Sequence, residues 1–262
     1  MDFKGKVILI SGASGGMGEE IARQISKEGC KLALFARREE KLKKLSEEIS
    51  SDKTECIYKK CDVSNKKDVE EAVKFTHNKF GRIDIAILNA GVLIPNPIET
   101  MDSSIIKYSM EINFLGNVYF LESLFPIMKT QESATISVTS TLPDKRGLAG
   151  WGAYGASKAA MSWLLESFRA EAMKKYNIKI ITVKPGAVET PMIEGYYRPG
   201  SISAKKAAEI IIRGIKKGKR VIQFPIQQVI LFKLMELFPA AVYDSQSIEG
   251  QKGAGYPVVK EK

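Results

Sequence analysis

Residues 6–18 of this chain read KVILISGASGGMG. The first half of this stretch is a short apolar run that predicts a buried strand over 6–11, and the residues after it, 19–28, have helical spacing. Glycines in the turn between them allow a tight bend and let a phosphate group approach the backbone N–H groups at the start of the helix. This placement predicts a dinucleotide-binding turn, and the alternative is a tight turn without a ligand. The binding residues expected in it are Gly12, Ser14, Gly15, Gly16, Met17 and Gly18.

The alternation of short apolar runs with helical segments continues along most of the 262 residues. Further strands are predicted at 31–36, 55–58, 84–88, 134–139, 178–184 and 220–224. Such alternation is typical of βαβ units, which build a parallel sheet with right-handed crossovers. We therefore expect an α/β fold, with one domain over 1–244 that contains a doubly wound sheet of seven strands and at least six helices. The last segment, 245–262, is predicted to be an extended or frayed tail.

The charge and composition argue against several classes of protein. Forty Lys and Arg residues stand against 30 Asp and Glu, which gives a net charge of +10. The cations are spread over the predicted helices and interleave with Glu, as in 39–48, without a nucleic-acid-binding motif. They therefore predict solvated faces and no nucleic acid as partner. Because we find no secretory signal pattern and no run of 18 apolar residues, we expect a cytoplasmic protein.

The cysteine and histidine content argues against a metal site and a disulfide framework. Cys30, Cys56 and Cys61 have no metal-ligand spacing, so they are interpreted as small core residues in a reducing compartment. The single histidine, His77, lies near the polar end of a predicted helix. The chain also has no GxSxG motif, which argues against a serine hydrolase.

Two arginines follow the second predicted strand, where dinucleotide-binding folds distinguish NAD from NADP. An NAD site carries an acidic residue there, which binds the ribose hydroxyls, whereas an NADP site supplies cations for the 2′-phosphate. Here Ala36 stands at the acidic position, and Arg37 and Arg38 come next. Arginine makes permanently charged, bidentate contacts with phosphate. We predict NADP(H) as the cofactor, and the alternative is that both arginines begin a solvated helix.

A tyrosine and a lysine lie four residues apart, at Tyr154 and Lys158, at the head of a predicted long helix over 156–173. That spacing puts both side chains on one helix face. A phenol has a reference pKa of about 10, so it works as an acid or base near neutral pH only if a neighbouring cation stabilises the phenolate. Lys158 supplies such a cation, and the alternative is that the two residues share a face by chance.

Several ordered motifs over residues 5 to about 224 resemble those of the short-chain dehydrogenase/reductase family, in its short single-domain form. The motifs are the turn 11–18, Asp62-Val63, Asn89-Ala90-Gly91, Asn113, the strand end Ser140-Thr141, Tyr154 with Lys158, and the segment 185–190. The resemblance implies a single-domain Rossmann-like fold with a seven-stranded parallel sheet. It also implies hydride transfer between a nicotinamide cofactor and a carbonyl or alcohol substrate.

The resemblance implies a role for each matching residue. Tyr154 is then the general acid/base, Lys158 lowers its pKa and holds the nicotinamide ribose, and Asn113 anchors a water in the proton relay. The other implied contacts are Asp62 and Val63 with the adenine, Asn89, Ala90 and Gly91 along the cofactor, and Pro185, Gly186, Val188 and Thr190 with the nicotinamide carboxamide.

The chain departs from the family pattern in three places. Ser11 stands where threonine is usual, and Leu88 stands where a second asparagine is more frequent. The family's catalytic serine normally lies 13 residues before the tyrosine, and this position is Thr141 here. A threonine hydroxyl can make the same hydrogen bond to a substrate oxygen. Ser140 is the second choice and would need a one-residue insertion in 142–151.

The C-terminal part is expected to determine the substrate and the partners. By the resemblance, about 189–217 forms a lid over the substrate, with Met192, Tyr196 and Tyr197 on its apolar inner face. The segment of about 225–243 predicts a helix that is apolar nearly all round and must be covered. Three covers are considered: the substrate cleft, a second subunit of a homodimer or homotetramer, or a peripheral membrane contact through 219–243.

The leading functional hypothesis is an NADP(H)-dependent oxidoreductase that interconverts a carbonyl and a secondary alcohol. We expect it to reduce a hydrophobic or lipid-like carbonyl compound. The alternative is a non-catalytic NADP-binding protein that senses redox state or serves a partner. Asn113, Tyr154 and Lys158 argue against this alternative, because a binding module does not need an acid/base pair.

Overall fold

The computed structural model of the protein describes residues 1–193, 200–239 and 242. Its strands are β1 (Val7–Ser11), β2 (Lys31–Ala36), β3 (Glu55–Lys60), β4 (Ile85–Leu88), β5 (Ala134–Thr139), β6 (Ile178–Pro185), β7 (Val188–Glu189), β8 (Ile202–Ser203) and β9 (Val221–Phe224). Its α-helices are α1 (Gly16–Ile25), α2 (Glu39–Ile49), α3 (Lys66–Phe80), α4 (Ser103–Met110), α5 (Gly116–Met128), α6 (Gly152–Tyr176), α7 (Ala204–Lys216) and α8 (Ile226–Glu236). A π-helical turn, Glu111–Leu115, joins α4 to α5.

Seven parallel strands form the central sheet, in the order β3-β2-β1-β4-β5-β6-β9. The chain runs outward from β1 to β3 and then returns to place β4 on the other side of β1. In sheets of this kind, ligands bind at the carboxyl ends of the strands where the winding direction changes. The predicted seven-stranded, doubly wound α/β fold is confirmed, and the crevice lies between the ends of β1 and β4.

Helices cover both faces of the sheet, so the core consists of two apolar layers. Ile8 and Ile10 point to the face covered by α1, α2 and α7, whereas Leu9 between them points to the face covered by α3, α5 and α6. Strands buried on both faces are apolar at successive positions, which is why the sequence shows short continuous runs rather than alternation.

The three cysteines lie in or against these layers as free thiols. Cys30 and Cys61 are buried, and burial raises the pKa of each thiol to about 12. Cys56 is partly buried, and burial raises its pKa to about 11. Such thiols remain protonated at neutral pH and behave as small apolar groups.

Some features differ from the expected elements or lie beyond the described residues. The helix α1 begins at Gly16, inside the predicted turn, and the pair β7–β8 was not predicted, because two-residue strands leave no pattern in the sequence. The predicted tail 245–262 and the lid residues Tyr196 and Tyr197 lie outside the described residues. Within the described ranges, none of the helices has the length and apolar character needed to cross a bilayer.

Candidate active site

The glycine-rich turn connects β1 to α1 at the crevice. Gly12 has a φ of +69°, and a Cβ there would lie 2.8 Å from the backbone of Ala90. A Cβ on Gly18 would collide with the carbonyl oxygen of Gly12. The N-cap of α1 is Gly15, so no side chain caps the first N–H groups of the helix. They are available to an anion at the positive end of the helix dipole, which fits a pyrophosphate.

The ends of β1 and β4 are tied together by Ser11. Its Oγ accepts hydrogen bonds from the backbone N–H groups of Asn89, at 3.2 Å, and of Ala90, at 3.3 Å. Ser11, which stands where threonine is usual, therefore still provides the hydroxyl acceptor for the backbone of Asn89 and Ala90. Leu88 is fully buried in β4, and Asn89 Oδ1 accepts a hydrogen bond from Thr139 Oγ1 at 3.3 Å. The segment 89–91 is thereby attached to the strands on both sides.

Arg38 lies directly over the glycine-rich turn. Its Nε donates to Ser14 Oγ at 3.1 Å, and its Nη2 donates to the carbonyl oxygen of Ser14 at 3.0 Å. Arg37 donates from Nη1 to the hydroxyl of Tyr108 at 3.0 Å. Both arginines line the cleft, next to Ala36. The guanidinium groups are thus close to where the ribose of a dinucleotide would lie.

Asp62 and Val63 line the cleft beyond the end of β3. Asp62 Oδ1 accepts hydrogen bonds from Ser64, from the backbone N–H at 3.0 Å and from Oγ at 2.8 Å. Val63 packs so closely on the first residue of α5 that a Cβ on Gly116 would lie 2.9 Å from the Val63 carbonyl oxygen. The local backbone is therefore fixed by contacts on both sides.

Lys158 is a buried ammonium in the floor of the cleft, with 3% exposure. Its Nζ donates a hydrogen bond to the carbonyl oxygen of Thr139 at 2.8 Å. Burial lowers the pKa of Lys158 to about 8. Tyr154 lies one turn earlier on α6, half-buried, and lines the same cleft. A desolvated titratable group in a cleft, one helical turn from a phenol, is typical of a functional site.

Asn113 lies in the π-helical turn and is fully buried. Its Nδ2 donates to the Val92 carbonyl oxygen at 2.9 Å and to Ser157 Oγ at 3.0 Å, and its Oδ1 accepts from the Val92 N–H at 2.8 Å. Its main-chain carbonyl accepts from Asn117 Nδ2 at 2.8 Å. Because both amide hydrogens are used, a water held by Asn113 would bind a remaining lone pair of Oδ1 or of the main-chain oxygen. π-helical turns occur frequently at functional sites.

The two candidate hydroxyls at the end of β5 differ in their surroundings. Ser140 Oγ is fully buried, donates to the Lys158 carbonyl oxygen at 3.0 Å and pairs with Ser162 Oγ at 2.7 Å. The Thr141 side chain lines the cleft, and its hydroxyl makes no hydrogen bond to any residue that the structure describes. This geometry favours Thr141 as the group available to a substrate.

The far wall of the cleft is formed by the segment 185–190 and the helix α8. Pro185, Gly186, Val188 and Thr190 all line the cleft. The residues of α8 that line it are Gln228, Leu231, Phe232 and Met235. Gln228 was not singled out from the sequence, where it is one of two adjacent glutamines in an apolar helix. The cavity has a volume of about 690 Å³, and three of the four α8 residues that line it are apolar.

The comparisons with known proteins agree with the fold and with the family resemblance. The family described as short chain dehydrogenase matches residues 6–198. An uncharacterised oxidoreductase of Listeria monocytogenes is 33% identical over 195 residues, which cover 74% of this chain and 79% of the relative. An 11-beta-hydroxysteroid dehydrogenase-like 3 protein of Arabidopsis thaliana is 34% identical, over 90% of this chain and 79% of the relative.

A solved structure shows the same relationship. The alcohol dehydrogenase of the archaeon Thermococcus sibiricus, complexed with 5-hydroxy-NADP, superposes with a TM-score of 0.74 and 29% identity. The match covers 84% of this chain and 94% of that enzyme. With the family match over most of the chain, this confirms the resemblance drawn from the motifs. The chain is a member of the short-chain dehydrogenase/reductase family of oxidoreductases.

Proposed function

We propose that the protein is an NADP(H)-dependent reductase of apolar carbonyl compounds, in which Tyr154 donates a proton to the carbonyl oxygen. The observation that carries the proposal is that Tyr154, the buried Lys158 and Thr141 line one cavity. The glycine-rich turn and Arg38 line the same cavity. One cavity can therefore hold a dinucleotide and a substrate together.

The residues of the cleft fit a phosphorylated dinucleotide. The open N-terminus of α1 suits the pyrophosphate, and Arg38 beside Ser14 and Gly15 suits a 2′-phosphate. Ala36 supplies no carboxylate that would repel this phosphate. The Thermococcus enzyme was solved with an NADP derivative, which supports the same choice. When bound, the cofactor would supply the hydride for the reduction.

The side chains around Tyr154 support the proton transfer. The positive charge of Lys158 stabilises the phenolate of Tyr154 and so favours release of the phenolic proton. The Thr141 hydroxyl donates a hydrogen bond to the carbonyl oxygen as negative charge develops there. Tyr154 donates its proton to that oxygen and is reprotonated from solvent through a water held at Asn113.

The substrate side of the cleft supports an apolar carbonyl compound. Leu231, Phe232 and Met235 of α8 line the cavity together with Pro143 and Leu148 beyond β5. Burial of apolar substrate surface against such a wall contributes about 25 cal/mol per Å². The steroid dehydrogenase names among the relatives are compatible with a substrate of this kind.

A coenzyme-consumption assay tests the proposal. NADPH and NADH oxidation are measured with ketones and aldehydes of increasing apolar size, and we expect faster oxidation of NADPH and KM values that fall with apolar size. Removing the Arg38 guanidinium with Arg38→Ala should raise the KM for NADPH by about 10-fold or more, since charged hydrogen bonds contribute about 1.5–3 kcal/mol. The KM for NADH should change far less, because NADH has no 2′-phosphate.

Two results would overturn the proposal. Equal kcat/KM for NADH and NADPH in the wild-type protein would contradict the cofactor assignment. Tight NADPH binding with no oxidation on any carbonyl would instead favour the non-catalytic NADP-binding alternative.

A further inference from the structure

Gln228 is a polar side chain from α8 that reaches the backbone of the segment 185–190. Its Oε1 accepts a hydrogen bond from the Ala187 N–H at 2.8 Å. A Cβ on Gly186 would collide with the same oxygen, so the amide occupies the space that Gly186 leaves free. Gln228 is therefore packed into this segment rather than resting on its surface.

The neighbouring backbone groups of the segment are held in a different way. The Pro185 carbonyl accepts from Leu142 N at 2.9 Å, and Gly186 N donates to the Phe224 carbonyl at 2.7 Å. The Ala187 carbonyl accepts from Ile202 N at 3.2 Å. These partners are all backbone groups, so they would survive a side-chain substitution. The Ala187 N–H depends on the one side chain from α8.

We infer that Gln228 is a positioning residue that fixes the cofactor-facing segment 186–190 and links it to the substrate wall. The same helix carries Leu231, Phe232 and Met235 into the cavity, one to two turns after Gln228. Gln228 thus couples the helix that would contact the substrate to the backbone that would contact the nicotinamide. This inference rests on the proposed function, because it assigns the segment to the cofactor.

The chain offers a matched pair of variants for the test. Gln228→Met keeps the length of the side chain but removes the acceptor for the Ala187 N–H. Gln227→Met makes the same change at the adjacent exposed position of α8 and serves as the control. Gln228→Glu retains an oxygen acceptor, so it is the conservative variant that should restore function.

The first readout is amide hydrogen exchange of the segment 185–190 in the cofactor-free protein. Loss of one hydrogen bond, about 1 kcal/mol, predicts exchange about 5-fold faster at Ala187 in Gln228→Met and unchanged exchange in Gln227→Met. Gln228→Glu should show exchange close to that of the wild type. Unchanged exchange at Ala187 in folded Gln228→Met would overturn the positioning role without reference to activity.

The second readout separates positioning from mere structural support. In Gln228→Met we expect kcat to fall about 10-fold, since misplaced reactants lose rate, while the Kd for NADPH stays within about 3-fold of the wild type. Wild-type kcat in Gln228→Met would overturn the inference even if exchange changes.

A different result separates the inference from the proposed function. If wild-type protein binds NADPH but reduces no carbonyl, the proposed function fails, and the positioning role of Gln228 is then tested by the nicotinamide fluorescence of bound NADPH. A changed spectrum in Gln228→Met alone supports the inference, and identical spectra refute it.

Discussion

At the scale of single residues, Lys158 is the most unusual group of the site. An ammonium with 3% exposure and one backbone acceptor has lost most of its hydration, and this burial lowers its pKa from 10.5 to about 8. In the proposed mechanism this burial is an advantage, because a poorly hydrated cation interacts strongly with a neighbouring phenolate. The free protein therefore carries a destabilising charge in its site.

The burial of Lys158 predicts a pH dependence of stability. Between pH 8 and 10.5 the unfolded chain binds the proton more tightly than the folded protein, so the wild type gains stability as pH rises through this window. Relative to Lys158→Met, its free energy of unfolding should rise by about 2 kcal/mol between about pH 7 and 9.5. Urea denaturation of the cofactor-free proteins measures this, with the exposed Lys67→Met as control. A difference that is constant over this range would contradict the assignment.

The two hydroxyls beyond β5 give a second prediction at this scale. Thr141→Ala should lower kcat by about 10²-fold, as loss of a donor to a developing oxyanion does, with little change in stability. Ser140→Ala removes the hydrogen bonds to the Lys158 carbonyl and to Ser162, so it should cost about 1 kcal/mol of stability and change kcat less. Steady-state kinetics and urea denaturation of both variants measure the two effects. The opposite pattern would make Ser140 the substrate partner.

At the scale of elements, a buried ion pair holds the connection that follows β5. Asp144, with 3% side-chain exposure, lies 2.6 Å from Lys184 of β6, between Oδ2 and Nζ, and the Lys184 side chain is 15% exposed. The contact is an ion pair whose angles do not meet hydrogen-bond geometry. Lys145 meets Glu236 of α8 at 2.9 Å, so the connection is also attached to the C-terminal helix. The residues next to Thr141 are thus attached to both β6 and α8.

Removing one partner of this pair should be costly. Lys184→Met leaves Asp144 buried without its cation, and we expect a loss of about 3–5 kcal/mol in the free energy of unfolding. The double variant Lys184→Met/Asp144→Leu should recover much of this loss, because it removes both charges. Urea denaturation of the wild type, the single variant and the double variant measures the loss and its recovery. A single variant within about 0.5 kcal/mol of the wild type would show that the pair contributes little.

The strands, and the cleft that many of the predicted site residues line, could be predicted from the sequence because each depends on local chemistry. Continuous apolar runs are dictated by two-sided burial, and the turn 11–18 by the close approaches at Gly12 and Gly18. The contacts of Gln228 and the π-helical turn at Asn113 depend on how distant segments pack, which no local pattern records. The sequence register favoured Thr141 over Ser140 as the substrate partner. The physical reason is visible only in the structure, where the Ser140 hydroxyl is already hydrogen-bonded to α6.

At the scale of the whole molecule, only one face of the C-terminal helix α8 lines the cleft. The inner face of α8 lines the cavity, whereas Ile226, Ile230 and Leu234 of its outer face are 64%, 54% and 53% exposed. The basic residues at 217–220 come just before β9, and α8 comes just after it. The basic cluster and the apolar outer face of α8 therefore lie at opposite ends of β9. Membrane contact through 219–243 and a homodimer or homotetramer stay predictions.

A cofactor that fills the cleft should stabilise the whole molecule. Ligand at 100 times its Kd contributes about 2.7 kcal/mol to the folded state. For a protein of this size, NADPH at that excess should raise Tm by roughly 5–11 °C. Calorimetry with NADPH and NADH at equal concentration measures this, and the larger shift is expected with NADPH. Equal shifts would argue against a site for the 2′-phosphate.

The variant Tyr154→Phe tests whether Tyr154 is the acid/base of an NADPH-dependent reduction. The measurement is the single-turnover rate of NADPH oxidation with a carbonyl substrate of the wild type, together with the Kd for NADPH. Because only the phenolic hydroxyl is removed, the rate should fall by about 10²- to 10⁴-fold while the Kd stays within about 3-fold of the wild type. A Tyr154→Phe rate close to that of the wild type would contradict the account.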